Sequence, residues 1–406
     1  MKRGDGAEAR GGGAGVNLLA LRSHNAALVL DLLRTAGEAG ISRIELAEGT
    51  GLTPQAVSKI VARLREEGLA AEAGRRASTG GKPRTVLRLL PAAGHAVGLH
   101  LDRDRLTAVL LDLSGTCVAT RTAPLDLGAG AEVVLAGAAA EVRELIAGAT
   151  GEVREPAAEG AGDVREPAAG ARAAGDVRDA AGRGGPRVLG VGVAMPGPLD
   201  HVTGVPHRVT GFPEWDGYPL RDALAARLRL PVVLDKDTNA AALGLALRGP
   251  GDSFAYLHLG TGLGAGLVLG GELYRGARTG AGEFGHQVVQ LDGPACGCGN
   301  RGCVEALCLA AVARGDVAGA ARVLGVGAAN LVELLDIDRV VLGGRVVDAA
   351  EEEFVRGVGA VVAARSRVPV TTAGGGWRTV AEGAAQLVLA PVFGRARAAF
   401  AANEGE

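Results

Sequence analysis

The sequence predicts an α/β protein in two parts, a small helical module followed by a larger domain of alternating strands and helices. Three observations predict it. Residues 17–68 carry apolar side chains at helical spacing between strong capping residues. From Ala96 onward short apolar runs alternate with helical stretches, the order expected of α/β architecture. A chain of 406 residues, 48% of them apolar, is also too long for one ordinary domain and rich enough to bury a sizeable core.

Residues 1 to about 15 are rich in Gly, Ala and Arg without periodicity and are expected to be a disordered tail. Leu21, Leu28, Leu30, Leu32 and Leu33 give the stretch Leu18 to Ala36 one buried helical face. Ser42, with Glu45 three residues on, forms a capping box for a short second helix, and Gly49-Thr50-Gly51 is expected to turn the chain. Thr53 caps a third helix with Pro54 at its first position, where a missing N–H costs nothing. Val57, Ile60, Val61 and Leu64 set its buried face, and Gly68 ends it. Two strand-like runs follow, Leu69–Glu72 and Thr85–Leu89, around a basic, Gly-rich tip.

The exposed side of the third helix presents Gln55, Ser58, Lys59 and Arg63, which can donate to base edges or phosphates in a major groove. The hairpin carries Arg75, Arg76, Lys82 and Arg84, placed to lie on backbone or minor groove. Caps, turn and basic hairpin together read as a winged helix-turn-helix DNA-binding domain over residues 16–90. The alternative is a three-helix dimerisation module with a solvated polar face.

The second domain is expected over residues 95–400. Its strands are read at His100–Leu101, Thr107–Leu113, Arg187–Ala194, Val232–Leu234, Phe254–Leu259, Gly266–Leu269 and Arg339–Leu342, with a turn at Ser114-Gly115. Residues 151–183 repeat a Gly-(Glu/Asp)-Val-Arg unit whose one Val is too little apolar surface for a stacked core. They are read as a low-complexity surface insertion over about 150–185.

A net charge of −2 excludes a protein that coats nucleic acid along its whole surface. Basic residues are mostly Arg, and Ala and Gly abound, a bias that suits a GC-rich genome. Apolar runs are broken by Gly or charge short of a membrane span, and the N-terminus lacks the apolar stretch of a signal peptide. A soluble cytoplasmic protein with no membrane contact is expected.

Five cysteines include three within Cys296-Gly-Cys298-Gly-Asn-Arg-Gly-Cys303, a spacing that suits a metal ion better than a disulfide framework. His286 is the nearest candidate for a fourth ligand. Such a closed Cys₃His set reads as structural zinc, with no position left for water. Reduced structural cysteines are the alternative, and Cys117 and Cys308 fit that description.

With these residues in hand, the chain from about 95 to 396 resembles the ROK family (repressors, open reading frames and kinases). With residues 17–90 it resembles that family's repressor branch, which includes regulators of xylose, glucose and N-acetylglucosamine use. The signature is Gly282-Glu-Phe-Gly-His286 followed by Cys296-x-Cys298-Gly-x-x-Gly-Cys303-x-Glu305. Met195-Pro-Gly-Pro198, Asp237-Thr-Asn239, Gly260-Thr-Gly-Leu-Gly-Ala-Gly266 and Val341-Leu-Gly-Gly344 support it.

The resemblance implies two actin-like, ribonuclease-H-like lobes around a cleft. It implies that Asp237, Glu283, His286 and Glu305 hold a sugar or sugar phosphate, with His286 also on the zinc. Asp237 would be the catalytic base if the protein were an active, ATP-dependent, glucokinase-like kinase. Family kinases open the first lobe with Asp-x-Gly-Gly-Thr around the ATP phosphates; the matching stretch here is Leu101-Asp-Arg-Asp-Arg-Leu106, with side chains at both glycine positions. Lys236 replaces the family's Asn before Asp237, and the region after Glu305 is shortened. The resulting expectation is a repressor that is no longer an enzyme. It would bind inverted-repeat operator DNA as a homodimer or tetramer and respond to a sugar-type effector. The alternative is an active kinase carrying a DNA-binding arm.

Overall fold

The computed structural model describes residues 24–76, 84–149, 186–209, 211–249 and 252–395. The expected tail, the start of the first helix with Leu21, the hairpin tip with Lys82 and the repeats over 151–183 lie outside the described residues.

The N-terminal module comprises α1 (His24–Ala36), β1 (Ile41–Ser42), α2 (Arg43–Thr50), α3 (Pro54–Glu66), β2 (Ala70–Arg76) and β3 (Arg84–Leu89). Its sheet order is β1-β3-β2, with antiparallel pairing throughout. The expected capping box forms: Glu45 N donates to Ser42 Oγ at 3.3 Å, and Ser42 N donates to Glu45 Oε2 at 2.8 Å. Ala56 N donates to Thr53 Oγ1 at 3.3 Å, which caps α3. Of the expected turn Gly49–Gly51, only Gly51 leaves the helix, at φ +69. Thr50 keeps α2 going by donating its hydroxyl to the Leu46 carbonyl.

The larger domain opens with β4 (His95–Leu101), β5 (Arg105–Asp112), β6 (Cys117–Pro124) and α4 (Ala131–Gly148). It continues through β7 (Val188–Met195), the short pair β8 (Leu199–Asp200) and β9 (Val205–Pro206), α5 (Leu220–Leu228) and β10 (Val232–Lys236). α6 (Asp237–Arg248) leads into the second lobe: β11 (Phe254–Leu259), β12 (Leu263–Leu269), β13 (Glu272–Tyr274), α7 (Val304–Ala313) and α8 (Val317–Leu335). The chain closes with β14 (Arg339–Gly343), α9 (Arg345–Asp348), α10 (Glu351–Ala363), β15 (Val370–Thr372) and α11 (Thr379–Leu389).

The two five-stranded sheets run β6-β5-β4-β7-β10 and β13-β12-β11-β14-β15. Each therefore places its first three strands as an antiparallel meander and adds the fourth and fifth in parallel on the other side. This is one topology used twice, the two-lobed architecture expected. α6 and α11 pack together between the lobes, and α11 returns onto β4 and β7. A Cβ at Gly98 or Gly192 would stand 1.8 Å from the Ala381 or Ala384 carbonyl, so only glycine admits α11 at that depth.

Strands are generally longer than expected, and the Gly260–Gly266 loop shrinks to a hairpin tip. Gly260 N donates to Gly262 O at 2.9 Å, and β12 begins at Leu263. The apolar helix α8 corrects the expectation about span length: at 19 residues and mean hydropathy 1.4 it is long and apolar enough to cross a membrane. Gly319, Ala320, Ala321, Leu324, Ala328 and Leu331 are instead buried, and the helix packs against α7 and α10, while Leu334 near its end is exposed.

No boundary separates the winged module from the first lobe in the core. Val29, Leu30, Leu33, Val57 and Leu87 belong to one apolar cluster with Val109, Leu111, Val388, Val392 and Phe393. Asp31 of α1 joins the same seam, paired with Arg34 at 2.7 Å and with Arg395, just past α11, at 2.6 Å.

Candidate functional site

Three regions gather the residues singled out by sequence. The first is the cysteine loop. Backbone pairing pins it: Cys296 N donates to Asn300 O at 2.8 Å, Val288 bridges Cys303, and Ala295 bridges Arg301. Gly302, at φ +66, lies so close to Gln290 that a Cβ would stand 1.5 Å from its carbonyl oxygen. The fold of the loop brings His286, Cys296, Cys298 and Cys303 together, their donor atoms all within 4.8 Å of one another. Cys296 Sγ is 3.7 Å from His286 Nδ1, and Cys298 Sγ is 3.7 Å from Cys303 Sγ. This cluster can hold a metal ion. Cys117 and Cys308 stand apart from it; Cys308 is buried in α7 with its thiol toward the Ala320 carbonyl.

The second region is the cleft between the lobes, with an empty volume of about 660 Å³. Asp237, Glu283, His286 and Glu305 all line it, so the structure brings the four expected sugar-binding side chains together. Asp237 is the first residue of α6. Burial pushes its carboxyl above the ordinary aspartate value, with Asp102 adding to the effect and His258 opposing it. Glu305, in the first turn of α7, accepts the Leu263 N–H at 2.8 Å and so joins the cysteine loop to the β11–β12 hairpin. Lys236 is 4% exposed and crosses between the lobes, donating from Nζ to Ala281 O at 2.6 Å and Glu283 Oε1 at 3.3 Å. Beside it, Asp235 of the first lobe pairs with Arg275 of the second at 2.7 Å and accepts from Asn239 Nδ2 at 2.9 Å.

The turn matching the family's phosphate loop lies on the same cleft. Asp102 N donates to Arg105 O, which closes the β4–β5 hairpin. Across the cleft Thr261 Oγ1 donates to Asp102 Oδ1 at 3.3 Å, and Arg345 Nη1 donates to both oxygens of Asp104 at 3.0 and 2.7 Å. These links, with His258, were not read from the sequence. Asp104 and Arg345 lie 241 positions apart, and no local pattern joins them.

His100 is buried at the end of β4, and its Nε2 has no partner among the described residues. Burial lowers its pKa to about 4; Asp102 pulls the other way, and His258 and Arg345 add to the lowering. The unfolded imidazole takes up a proton near pH 6.5 while the folded one resists it, so stability is full above that pH. It should then fall by up to roughly 3 kcal/mol as pH drops toward 4. A His100→Gln variant should flatten that slope in urea unfolding series between pH 7 and 4.5; an unchanged slope would assign it to other groups.

The third region is the outer face of α3. Gln55, Ser58, Lys59 and Arg63 are all exposed on it, opposite buried Val57, Val61 and Leu64. Ser58 donates its hydroxyl to the Pro54 carbonyl, which leaves its oxygen as an acceptor rather than a donor. Arg63 stands 3.8 Å from Glu67. Arg75 and Arg84 are exposed on the β2–β3 hairpin, where Arg84 pairs with Arg76 in register.

Residues 29–70 match a winged helix-turn-helix DNA-binding family, and residues 175–318 match the ROK family. The chain carries a ROK-family domain behind a winged helix-turn-helix. A putative xylose repressor from Caldicellulosiruptor sp. is 27% identical over 349 residues, covering 75% of this chain and 79% of that protein. Three further xylose repressors are matched over 59 to 61% of their own length. Glucokinase from Thermotoga maritima is 44% identical over 128 residues, which span 30% of this chain and 40% of the enzyme. Among solved structures, a ROK family transcriptional regulator described as a homologue of the Escherichia coli MLC protein superposes with a TM-score of 0.67 at 21% identity. It covers 92% of this chain and 98% of its own, a likeness of fold. ROK relatives of this chain thus include both repressors and sugar kinases.

Proposed function

We propose that this protein is a DNA-binding transcriptional repressor whose ROK domain senses a sugar without phosphorylating it. The carrying observation is the capped recognition helix α3, exposed and basic, built on the same apolar core as the cleft-bearing lobe. Gln55, Ser58, Lys59 and Arg63 would face the major groove, and Arg75, Arg76, Lys82 and Arg84 would contact backbone or minor groove. Asp237, Glu283, His286 and Glu305 would hold the sugar hydroxyls. A ligand that favours one cleft geometry would shift the orientation of the winged modules in a dimer or tetramer on an inverted-repeat operator. DNA as partner makes the cytoplasm the place of action.

Zinc is the ion that the cysteine loop fits. With Zn–S near 2.3 Å and Zn–N near 2.0 Å, a tetrahedron spaces its ligands about 3.5–3.8 Å apart, against 3.7 Å for two of the ligand pairs and a spread within 4.8 Å for the whole set. Four protein ligands leave no open position, so the ion would be structural and would brace His286 and Glu305 on the cleft wall. Loss of kinase activity is supported by the Asp102–Asp104 turn. Asp104, tied to Arg345, stands where the family's motif has its first glycine, and puts a carboxylate where phosphoryl transfer needs close backbone approach and positive charge.

The likeness to glucokinase and the buried Asp237 favour a second reading, an active sugar kinase. A coupled ADP-release assay over a hexose panel, with Asp237→Asn as control, separates the two; sugar-dependent turnover lost in the variant would establish the kinase. For the repressor, fluorescence anisotropy on DNA from the protein's own promoter region should show binding at low salt. Lys59→Ala should weaken it across sequences and lower the salt slope by about one. Absence of any inverted-repeat binding would defeat the proposal.

A further inference from the structure

We infer that Lys236 is a positioning residue for effector sensing, a latch that ties the loop over residues 275–283 to the opposite lobe and keeps Glu283 aimed into the cleft. The role rests on the sugar-sensing reading and adds what prepares one wall of its site.

The loop follows β13 in the second lobe and reaches the first lobe at three points. Arg275 pairs with Asp235 at 2.7 Å, and Thr279 Oγ1 donates to the Leu199 carbonyl at 2.5 Å. Lys236 Nζ donates to Ala281 O at 2.6 Å and to Glu283 Oε1 at 3.3 Å. Ala281 N closes the loop at its base by donating to Arg275 O at 3.1 Å. Gly276 and Gly282 flank it at φ +77 and +87, where glycine turns without steric cost. Between them Thr279 holds φ +55, a conformation that a β-branched residue keeps only under restraint. A loop with glycine at both ends and a strained middle opens unless it is fastened.

Lys236 is the fastener that acts on Glu283. Arg275 and Thr279 hold the loop upstream of Gly282, whereas Lys236 grips both sides of that pivot, at Ala281 and at Glu283 itself. Its side chain crosses between the lobes through a passage cleared by two glycines. A Cβ at Gly197 would stand 2.7 Å from Lys236 Cδ, and one at Gly282 would stand 3.1 Å from Nζ. An ammonium only 4% exposed is costly to bury unless it is matched, and here Glu283 and the adjacent Asp237 match it. Released from Lys236, Gly282 would turn freely and Glu283 would leave the cleft wall for part of the time. Ligands would then meet a competent wall in only a fraction of molecules, and all would lose affinity by the same factor. A lysine that merely bonded one hydroxyl would instead change the preference among sugars.

Lys236→Met keeps the aliphatic path and removes the ammonium; Lys236→Gln keeps a polar end on a shorter side chain. Hydrogen–deuterium exchange of the full-length protein without sugar should run about tenfold faster over residues 276–282 in both variants, with β11 unchanged. Calorimetric titration with D-glucose, D-xylose and N-acetyl-D-glucosamine should show every sugar that binds the parent weakened about threefold or more, by one common factor. Exchange over 276–282 as slow as in the parent overturns the latch, and exchange that quickens equally in β11 does so too, because it marks a general loosening. Faster exchange with unaltered affinities, or a loss confined to one of several bound sugars, overturns the positioning role while leaving sugar sensing intact. If none of the three sugars binds the parent protein, the sugar-sensing reading itself falls, and the exchange rates alone decide the latch.

Discussion

Stripping the metal from the Cys296–Cys303 loop should lower the melting temperature and weaken effector binding together. The loop has little apolar packing of its own: Leu291 is 84% exposed, and Cys298 is exposed as well. Without an ion, its shape would depend on a few backbone hydrogen bonds and on three thiols that gain nothing from being gathered. Structural zinc in isolated finger peptides is worth about 10–16 kcal/mol. The second lobe has its own core, so the loss here should be smaller, about 2–5 kcal/mol or roughly 5–10 °C. Elemental analysis should find one metal equivalent in the parent and in Cys308→Ser, and none in Cys298→Ser. The effector effect follows from His286, which serves both the cluster and the cleft, and from Glu305 two residues past Cys303. Unchanged stability after chelation would remove the metal assignment.

Arg275→Ala should destabilise the protein by about 3–5 kcal/mol, because it strips a buried carboxylate of its ion partner. Asp235 is 2% exposed at the end of β10, and only Arg275 brings it a positive charge among its hydrogen-bond partners. Asp235→Asn combined with Arg275→Ala should cost much less than the sum of the two single changes, since the double variant buries no lone charge. Urea unfolding of the four proteins measures the coupling; additive costs would mean that water reaches the pair. The pair also spans the lobes beside Lys236 and Asp237, so the single variant should loosen the cleft wall.

Much of the site was legible in the sequence wherever the chemistry is local. Thr53-Pro54 and the 3.6-residue apolar spacing mark α3, because caps and period act within a few residues. The Cys-x-Cys spacing marks the cluster for the same reason. β6 was missed: Cys117–Pro124 is half-buried along its length and alternates weakly, as an edge strand beside β5 can. Gly325 and Gly327 are poor helix formers by themselves, yet tertiary packing makes small residues necessary inside α8. A Cβ at Gly325 would press Val361 at 2.8 Å, and one at Gly327 would meet the Phe284 ring at 2.7 Å. The inter-lobe pairs Asp104–Arg345 and Asp235–Arg275 leave no trace in sequence spacing, because only the finished fold brings them together.

The apolar seam shared by the winged module and the first lobe has a genetic consequence. Phe393 lies far along the chain from both the recognition helix and Asp237, yet it packs in the core that carries α1 and under the Arg34 guanidinium, 5.3 Å from its ring. An allele at Phe393 would alter the seat of the winged module and the packing of the first lobe at once. A screen sorting alleles into operator-blind and effector-blind classes would find such positions in neither class, because the two phenotypes share one piece of packing.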